Sequence, residues 1–164
     1  MDKIKLQWEQ DLGKKLTAEQ WGTIIQHPNH ASKCVRYKLI QLKTLHRSYI
    51  TPEKMKRMDP DTSDACWHGC GERGSMMHMF WECPEVKRFW AGTLQTLYAI
   101  TNERISASPE MCLLGLGVDG VRPSVTQRLL SLAFLSVKRT ILMNWKKGKP
   151  TVSVWSVGLR ILWN

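Results

Sequence analysis

The segment that decides the fold reads Cys66-Trp-His-Gly-Cys70-Gly-Glu-Arg-Gly-Ser-Met-Met-His78-Met-Phe-Trp-Glu-Cys83. It places four common metal ligands, Cys66, Cys70, His78 and Cys83, at the spacing C-x3-C-x7-H-x4-C. Zinc in proteins takes four sulfur or nitrogen ligands in a tetrahedron, and a site filled by four protein ligands is structural. The alternative is a group of ordinary buried thiols and one buried histidine. Four ligand-type residues this close together favour the zinc site.

The residues between the ligands fit this interpretation. A tight turn is needed after Cys66, and glycines, which adopt positive φ at little cost, are predicted to supply it (Gly69, Gly71 and Gly74). His68 is also a possible ligand. We rank it below His78, because three ligands within five residues would be crowded.

A proline follows the last ligand. His78 and Cys83 are five residues apart, about 140° around a regular α-helix, so one unbroken helix would point them in different directions. Pro84 disfavours helical geometry at Cys83 and itself favours the first position of a helix. Cys83 is therefore predicted to flank the N-terminus of a new helix.

Helical periodicity dominates the rest of the chain. Gly13 is predicted to end a first helix, and Thr17 with Gln20 to begin a second through a capping box. The pair His27-Pro28 is predicted to end that second helix. Residues 124–147 are apolar on nearly every face, which indicates a buried central helix or one that docks on a partner.

These patterns predict a mainly α fold, a helical domain with an inserted CCHC zinc-binding loop. The length of 164 residues suits one domain. We expect a basic helical lobe over residues 1–60, the zinc segment over residues 61–90 and a C-terminal helical lobe over residues 91–164.

A third helix, predicted over residues 32–49, separates apolar from basic residues. One side is predicted to be core (Val35, Leu39, Leu42, Leu45 and Tyr49) and another a basic ridge (Lys33, Arg36, Lys43 and Arg47). Thr51-Pro52 then predicts an N-cap with proline at the first helical position. The short helix that follows carries further cations (Lys54, Lys56 and Arg57).

The formal net charge of +10 indicates an anionic partner, and RNA, single-stranded DNA or duplex DNA is expected. The seven cations of the third helix and the short helix after it are the candidate phosphate contacts, although each is as easily explained as part of a solvated face. Trp67, Phe80 and Trp81 are candidates for stacking on unpaired bases. The alternative is that they pack over the metal site. The other six tryptophans are expected in the core or in a docking surface.

Other function classes lose support. The chain has no H-E-x-x-H, G-x-S-x-G or Walker motif, and the predicted metal site leaves no ligand position open, so we expect no enzyme activity. The absence of a signal-like segment favours the cytoplasm and nucleus, and no run is apolar enough to span a membrane. The remaining cysteines, Cys34 and Cys112, are expected in the core.

The pattern Cys66-Trp67-x-x-Cys70-Gly71-x-x-Gly74-x-x-x-His78-Met79-x-Trp81-x-Cys83 resembles the cysteine-rich C-terminal segment of the LINE-type non-LTR retrotransposon polyprotein, of the LINE-one clade in particular. Flanking matches, such as Leu45-His46-Arg47 and Phe89-Trp90, extend the likeness over nearly the whole chain. The resemblance implies a zinc-binding module that contacts the element's RNA and supports target-primed reverse transcription. It implies no polymerase or nuclease activity here, because those motifs lie in other domains of the polyprotein.

Two alternatives to nucleic-acid binding remain. In the first alternative, the chain is a structural or protein-interaction module. The apolar segment 124–147 and several tryptophans would then face a partner such as the retrotransposon polymerase. In the second it is a retrotransposon-derived fragment without a function.

Overall fold

The computed structural model describes residues 1–106, 108–121 and 124–163, and the chain is 66% helical with no β-strand in these ranges. An isolated antiparallel bridge pairs Ala65 with Arg73. The mainly α prediction is therefore confirmed. Eight α-helices are present in the described ranges: α1 (Asp2–Leu12), α2 (Ala18–His30), α3 (Val35–Leu45), α4 (Pro52–Met58), α5 (Pro84–Thr101), α6 (Pro109–Leu114), α7 (Ser124–Met143) and α8 (Val152–Trp163). A π-helical turn (His78–Glu82) precedes α5, and a short 3₁₀ turn (Val118–Gly120) follows α6.

Local signals placed most helix ends correctly. Gly13 ends α1 with a left-handed φ of 68°. Thr17 and Gln20 form the predicted capping box at the start of α2, and the Thr51 side chain accepts a hydrogen bond from the Lys54 N–H at the start of α4. The prediction that α2 ends at Pro28 is wrong, because α2 continues to His30. A proline removes only one hydrogen bond from the ladder, which resumes where the Ala31 N–H donates to the His27 carbonyl.

The face that α3 buries differs from the predicted one. Leu45 is buried, but Val35, Leu39 and Leu42 are 77%, 46% and 43% exposed. The buried face instead holds Tyr37, Gln41, Thr44 and Leu45. Polar residues can lie there because their hydrogen bonds are made internally: the Gln41 amide donates to the Leu113 carbonyl and the Thr44 hydroxyl to the Ile40 carbonyl.

The described chain divides into two compact units. Unit 1 consists mainly of residues 1–48 and 105–135, and unit 2 mainly of residues 49–104 and 136–162, so α7 contributes to both. The single domain with three lobes stays a prediction. Most apolar side chains of α7 are buried, among them Leu130, Phe134, Leu135, Val137 and Ile141.

In unit 1 the indole of Trp8 is completely buried and donates to the Leu45 carbonyl at 2.9 Å. The guanidinium of Arg47 lies over the same ring, 4.7 Å from its centroid, and pairs with the Asp11 carboxylate. These contacts join α1 to the end of α3. Arg47 itself has a left-handed φ of 55°, which is uncommon for a residue with a side chain.

In unit 2 the centre is aromatic. Phe80 is completely buried and contacts the rings of Trp145 and Tyr49 at centroid distances of 4.9 and 5.8 Å. Burial raises the pKa of Tyr49 to about 12. Of the six tryptophans expected away from nucleic acid, five are buried (Trp8, Trp21, Trp90, Trp145 and Trp155), and the side chain of Trp163 lies outside the described residues. None of the helices in the described part of the chain is both long and apolar enough to cross a membrane.

The corrected face of α3 can be tested by truncating two of its leucines. Leu45→Ala removes a side chain that is 1% exposed and should lower the free energy of unfolding by about 2–5 kcal/mol. Leu39→Ala removes the same atoms from a side chain that is 46% exposed and should cost less than about 1 kcal/mol. Urea denaturation measures both variants, and equal losses would contradict this assignment of the buried face.

Candidate metal centre

The structure brings the four predicted ligands together. The three sulfur atoms of Cys66, Cys70 and Cys83 and a ring nitrogen of His78 all lie within 4.8 Å of one another and could hold one metal ion. The Cys70 sulfur lies 3.2 Å from Nε2 of His78, and the Cys66 and Cys83 sulfurs are 3.9 Å apart. All four cysteine and histidine ligands therefore come from one continuous segment of unit 2, and none of the cysteines forms a disulfide.

The first two ligands lie on a tight loop closed by backbone hydrogen bonds. The Cys66 N–H donates to the Glu72 carbonyl at 2.8 Å, next to the bridge between Ala65 and Arg73. Within the loop, Gly69 and Gly71 have φ of 77° and 87°, as the sequence predicted. The His68 N–H points at the Cys66 sulfur, 3.4 Å away, so it would stabilise a thiolate there.

Gly74 is needed for a different reason than the predicted positive φ. The φ of Gly74 is not positive. A Cβ at this position would overlap the ring of Pro52 at the start of α4. The backbone makes two hydrogen bonds there, from the Gly74 N–H to the Asp64 carbonyl and from the Glu53 N–H to the Gly74 carbonyl. Gly74 therefore lets the metal loop lie directly against α4.

The π-helical turn solves the problem of the five-residue spacing. The Cys83 N–H donates to the His78 carbonyl at 2.8 Å, which is the i→i+5 bond of a π helix. This wider turn replaces the regular α-helical one, and the ligand atoms of His78 and Cys83 lie within 4.8 Å of each other. Cys83 has an extended ψ of 131° and precedes Pro84, the first residue of α5, as predicted.

Burial favours the neutral forms of two of the ligand side chains, Cys66 and His78, before a metal binds. Removal from water raises the pKa of the Cys66 thiol to about 12. It lowers the pKa of His78, again because burial penalises the charged form. A neutral imidazole is ready to donate its lone pair, whereas a metal must displace the proton of Cys66.

His68 lies beside the cluster and outside the four-ligand set. Its Nε2 is 2.8 Å from the Asn144 carbonyl, and its Nδ1 is 3.6 Å from the Cys83 sulfur. When Nε2 carries a proton, it donates to Asn144 and fixes the ring with Nδ1 facing the ligand sulfur. His68 therefore connects the cluster to the residues that follow α7.

The three aromatic residues singled out for base stacking have different positions. Phe80 is completely buried, so it is a packing residue and the prediction that it could stack on a base is wrong. Trp81 is half-buried, with its ring 5.3 Å from that of Trp90. Trp67 is half-buried too, and the ammonium of the exposed Lys146 lies 5.5 Å from its ring centroid.

A groove next to the metal loop was not anticipated from the sequence. It has a volume of about 390 Å³ and is lined by Met55, Thr62, Ser63, Ala65, Trp67 and Lys146. Lys146 is far from the cysteines in the sequence, and only its run of neighbouring lysines marks it as part of a cationic surface. The groove combines one aromatic face, one cation and hydroxyl groups.

The predicted phosphate contacts divide into exposed and engaged residues. Lys33, Arg36 and Lys43 of unit 1 are exposed, whereas Arg47 is held by Asp11 and Trp8. In unit 2, Lys56 and Arg57 of α4 are exposed, and Lys54 of the same helix is half-buried. Nucleic-acid contact by these residues stays a prediction.

The two remaining cysteines also differ. Cys112 is buried, as predicted, but Cys34 is exposed at the N-cap of α3, so its prediction as a core residue is wrong. Hydrophobicity alone does not distinguish a buried thiol from one that precedes a helix.

No protein-family model matches the chain.

The four-ligand site predicts a specific loss of metal. Cys70→Ser replaces a sulfur ligand and should reduce bound metal from about one ion per chain to well below half. Cys34→Ser makes the same chemical change at an exposed cysteine outside the cluster and should leave the metal content unchanged. Elemental analysis of the purified proteins measures both. Less than half an equivalent in the unmodified chain, or full retention by Cys70→Ser, would exclude the site.

Proposed function

We propose that the protein is a zinc-dependent nucleic-acid-binding module, with RNA as its ligand. The zinc ion would fold the loop over residues 66–83, and the groove beside that loop would receive an unpaired base. Exposed lysines and arginines would neutralise the phosphates. The observation that carries the proposal is the placement of Trp67 and Lys146 on one groove next to the ligand Cys66.

Zinc is supported by the donor set. Three thiols and one imidazole are ligands that zinc favours over hard cations such as magnesium or calcium. Zinc bound to sulfur at about 2.3 Å in a tetrahedron holds two sulfurs about 3.8 Å apart. The Cys66 and Cys83 sulfurs are separated by 3.9 Å, so they need hardly move. Bound zinc would hold both halves of the loop together, and its four positions would be filled by the protein.

Nucleic acid is supported by the groove. A base needs an aromatic face that opens to solvent, and the exposed Lys146 reaches one face of Trp67 from solvent. A base stacked there would displace the Lys146 ammonium from the ring, and that ammonium would then pair with the phosphate of the base. Met55 of α4 lines the same groove, and Lys56 and Arg57 follow it directly in sequence and are exposed. Stacking of this kind is tolerant of sequence, as expected for recognition of single strands.

The resemblance to LINE-type retrotransposons supports a biological setting. In that setting the module belongs to a reverse transcriptase and supports target-primed reverse transcription by holding the RNA. We assign the metal a structural role, because a metal with four protein ligands has no position for water or substrate.

The salt dependence of RNA binding tests the cationic contacts. Each phosphate contact on a single strand contributes about 0.7 to the slope of log affinity against log salt. Lys56→Glu plus Arg57→Glu should therefore weaken binding to oligouridylate and lower that slope by about 1.4. Trp67→Ala should weaken binding by about fivefold or more with an unchanged slope, because stacking releases no counterions. Fluorescence anisotropy at several salt concentrations measures both effects.

A charge-matched control separates local contacts from net charge. Lys3→Glu plus Arg160→Glu makes the same change at two exposed residues that do not line the groove. In this control, Trp67→Ala should still weaken binding, and the salt slope should fall by less than in Lys56→Glu plus Arg57→Glu. Zinc-loaded, folded protein that does not bind RNA, or binds it independently of salt, would exclude this function.

A second candidate function, docking on a protein, is favoured by the exposed face of α3. Val35, Leu39 and Leu42 recur at i, i+4 and i+7 and form an apolar stripe that is exposed. Arg36 and Lys43 border the stripe on one side and Lys38 on the other, and α3 contains no acidic residue. The complementary partner is an amphipathic helix with acidic flanks, which we assign to the polymerase domain.

The docking function predicts an effect of apolar substitutions on α3. Leu39→Glu plus Leu42→Glu should reduce co-purification with a LINE-type reverse transcriptase domain at least tenfold, because charges would then be buried in the interface. Val125→Glu, at another exposed apolar residue, is the control and should bind normally. Equal binding by all three proteins would rule out this face as the docking surface.

A further inference from the structure

Unit 1 contains a pocket whose lining residues lie far in sequence from the metal ligands. It has a volume of about 550 Å³, within the range of about 300–1,000 Å³ typical of small-molecule sites. The last turns of α2 and the first turns of α7 supply most of its walls, and the loop after α6 supplies Gly115 and Val118. All of these residues belong to unit 1.

The pocket is lined by donors of hydrogen bonds. Two imidazoles, one guanidinium, two amides and a hydroxyl face it, from His27, His30, Arg128, Gln26, Gln127 and Ser131. None of the described residues that line it is acidic. Thr23 also lines the pocket, and its hydroxyl donates to the Glu19 carbonyl.

The floor of the pocket fixes one of the imidazoles. Gly115 has φ of 79° and is buried, and a Cβ there would overlap the ring of His27. His27 therefore lies directly against backbone, in a place that only glycine permits. Ala31 and Val118 are buried beside it and add an apolar surface to the floor.

We infer that this pocket binds a phosphate monoester, as carried by a nucleotide. A phosphate monoester has a charge of about −1.5 to −2 at pH 7 and three acceptor oxygens. One arginine, two histidines and three neutral donors match that demand. A carboxylate matches this set of donors less well, because it has only one charge and two oxygens. The apolar floor gives the attached sugar and base a surface. The nucleotide is either the phosphorylated end of a strand, which rests on the proposed function, or a free mononucleotide.

The first experiment uses small probes and the full chain. Uridine 5′-monophosphate should shift the imidazole resonances of His27 and His30 in NMR spectra, whereas uridine at equal concentration should not. Arg128→Gln removes the permanent charge and should lower the affinity about tenfold. Arg160→Gln, at an exposed arginine outside the pocket, should leave it unchanged. Equal shifts by uridine and its monophosphate, or no shift at all, would overturn the proposal.

The second experiment identifies the source of the phosphate. Oligouridylates with a 5′-phosphate and with a 5′-hydroxyl are compared by anisotropy in the unmodified chain and in His30→Gln, a substitution at an exposed residue. Tighter binding of the phosphorylated strand, lost in His30→Gln, assigns the pocket to strand ends. Equal binding, with the mononucleotide still shifting the histidines, assigns it to free nucleotides. Failure of both strands to bind concerns the proposed function alone, because the mononucleotide measurement stands apart from it.

Discussion

The convergence of three thiols and one imidazole on a single point is the constraint on which unit 2 depends. Meeting it requires a loop with two left-handed glycines, a glycine packed on Pro52 and a helical turn with an i→i+5 bond. A π-helical turn is uncommon, and each glycine loses more conformational entropy on folding than other residues do, so both features need a compensating interaction. A bound metal would supply that interaction, because its affinity for preformed ligands adds directly to the free energy of unfolding.

Tryptophan performs a related task in both units. Three buried or nearly buried indoles donate to backbone carbonyls: Trp8 to Leu45, Trp90 to Phe80 and Trp145 to Ile50. Leu45 is the last residue of α3, Phe80 lies in the π-helical turn, and Ile50 precedes the N-cap of α4. A large apolar ring with one donor fills space and satisfies such a carbonyl at once. This role accounts for three of the 8 tryptophans in the chain.

Much of this could be predicted from the sequence, because the signals were local. Ligand spacing, Pro84, the capping box of Thr17 and the N-cap at Thr51 each depend on neighbouring residues, and the four ligands meet as expected. The error on the buried face of α3 arose because a distant residue decides which side of that helix is buried. Gln41 is buried because the carbonyl of Leu113 accepts its hydrogen bond, and that carbonyl is 72 residues away. Helical periodicity, which sees only neighbouring residues, therefore predicted that the apolar stripe of α3 is the buried face. The groove beside Trp67 was missed for the same reason, since Lys146 reaches it from a distant part of the chain.

The π-helical turn also makes the chain sensitive to its length. Substitutions between His78 and Cys83 change side chains but leave the i→i+5 bond in place, whereas deleting one residue would make an ordinary α-helical turn available. A duplication or the loss of a codon in this stretch would therefore put a different residue one turn after His78. The cysteine would survive in the sequence and be displaced along the chain. Related sequences should thus vary in composition here while keeping the number of residues between the last two ligands fixed.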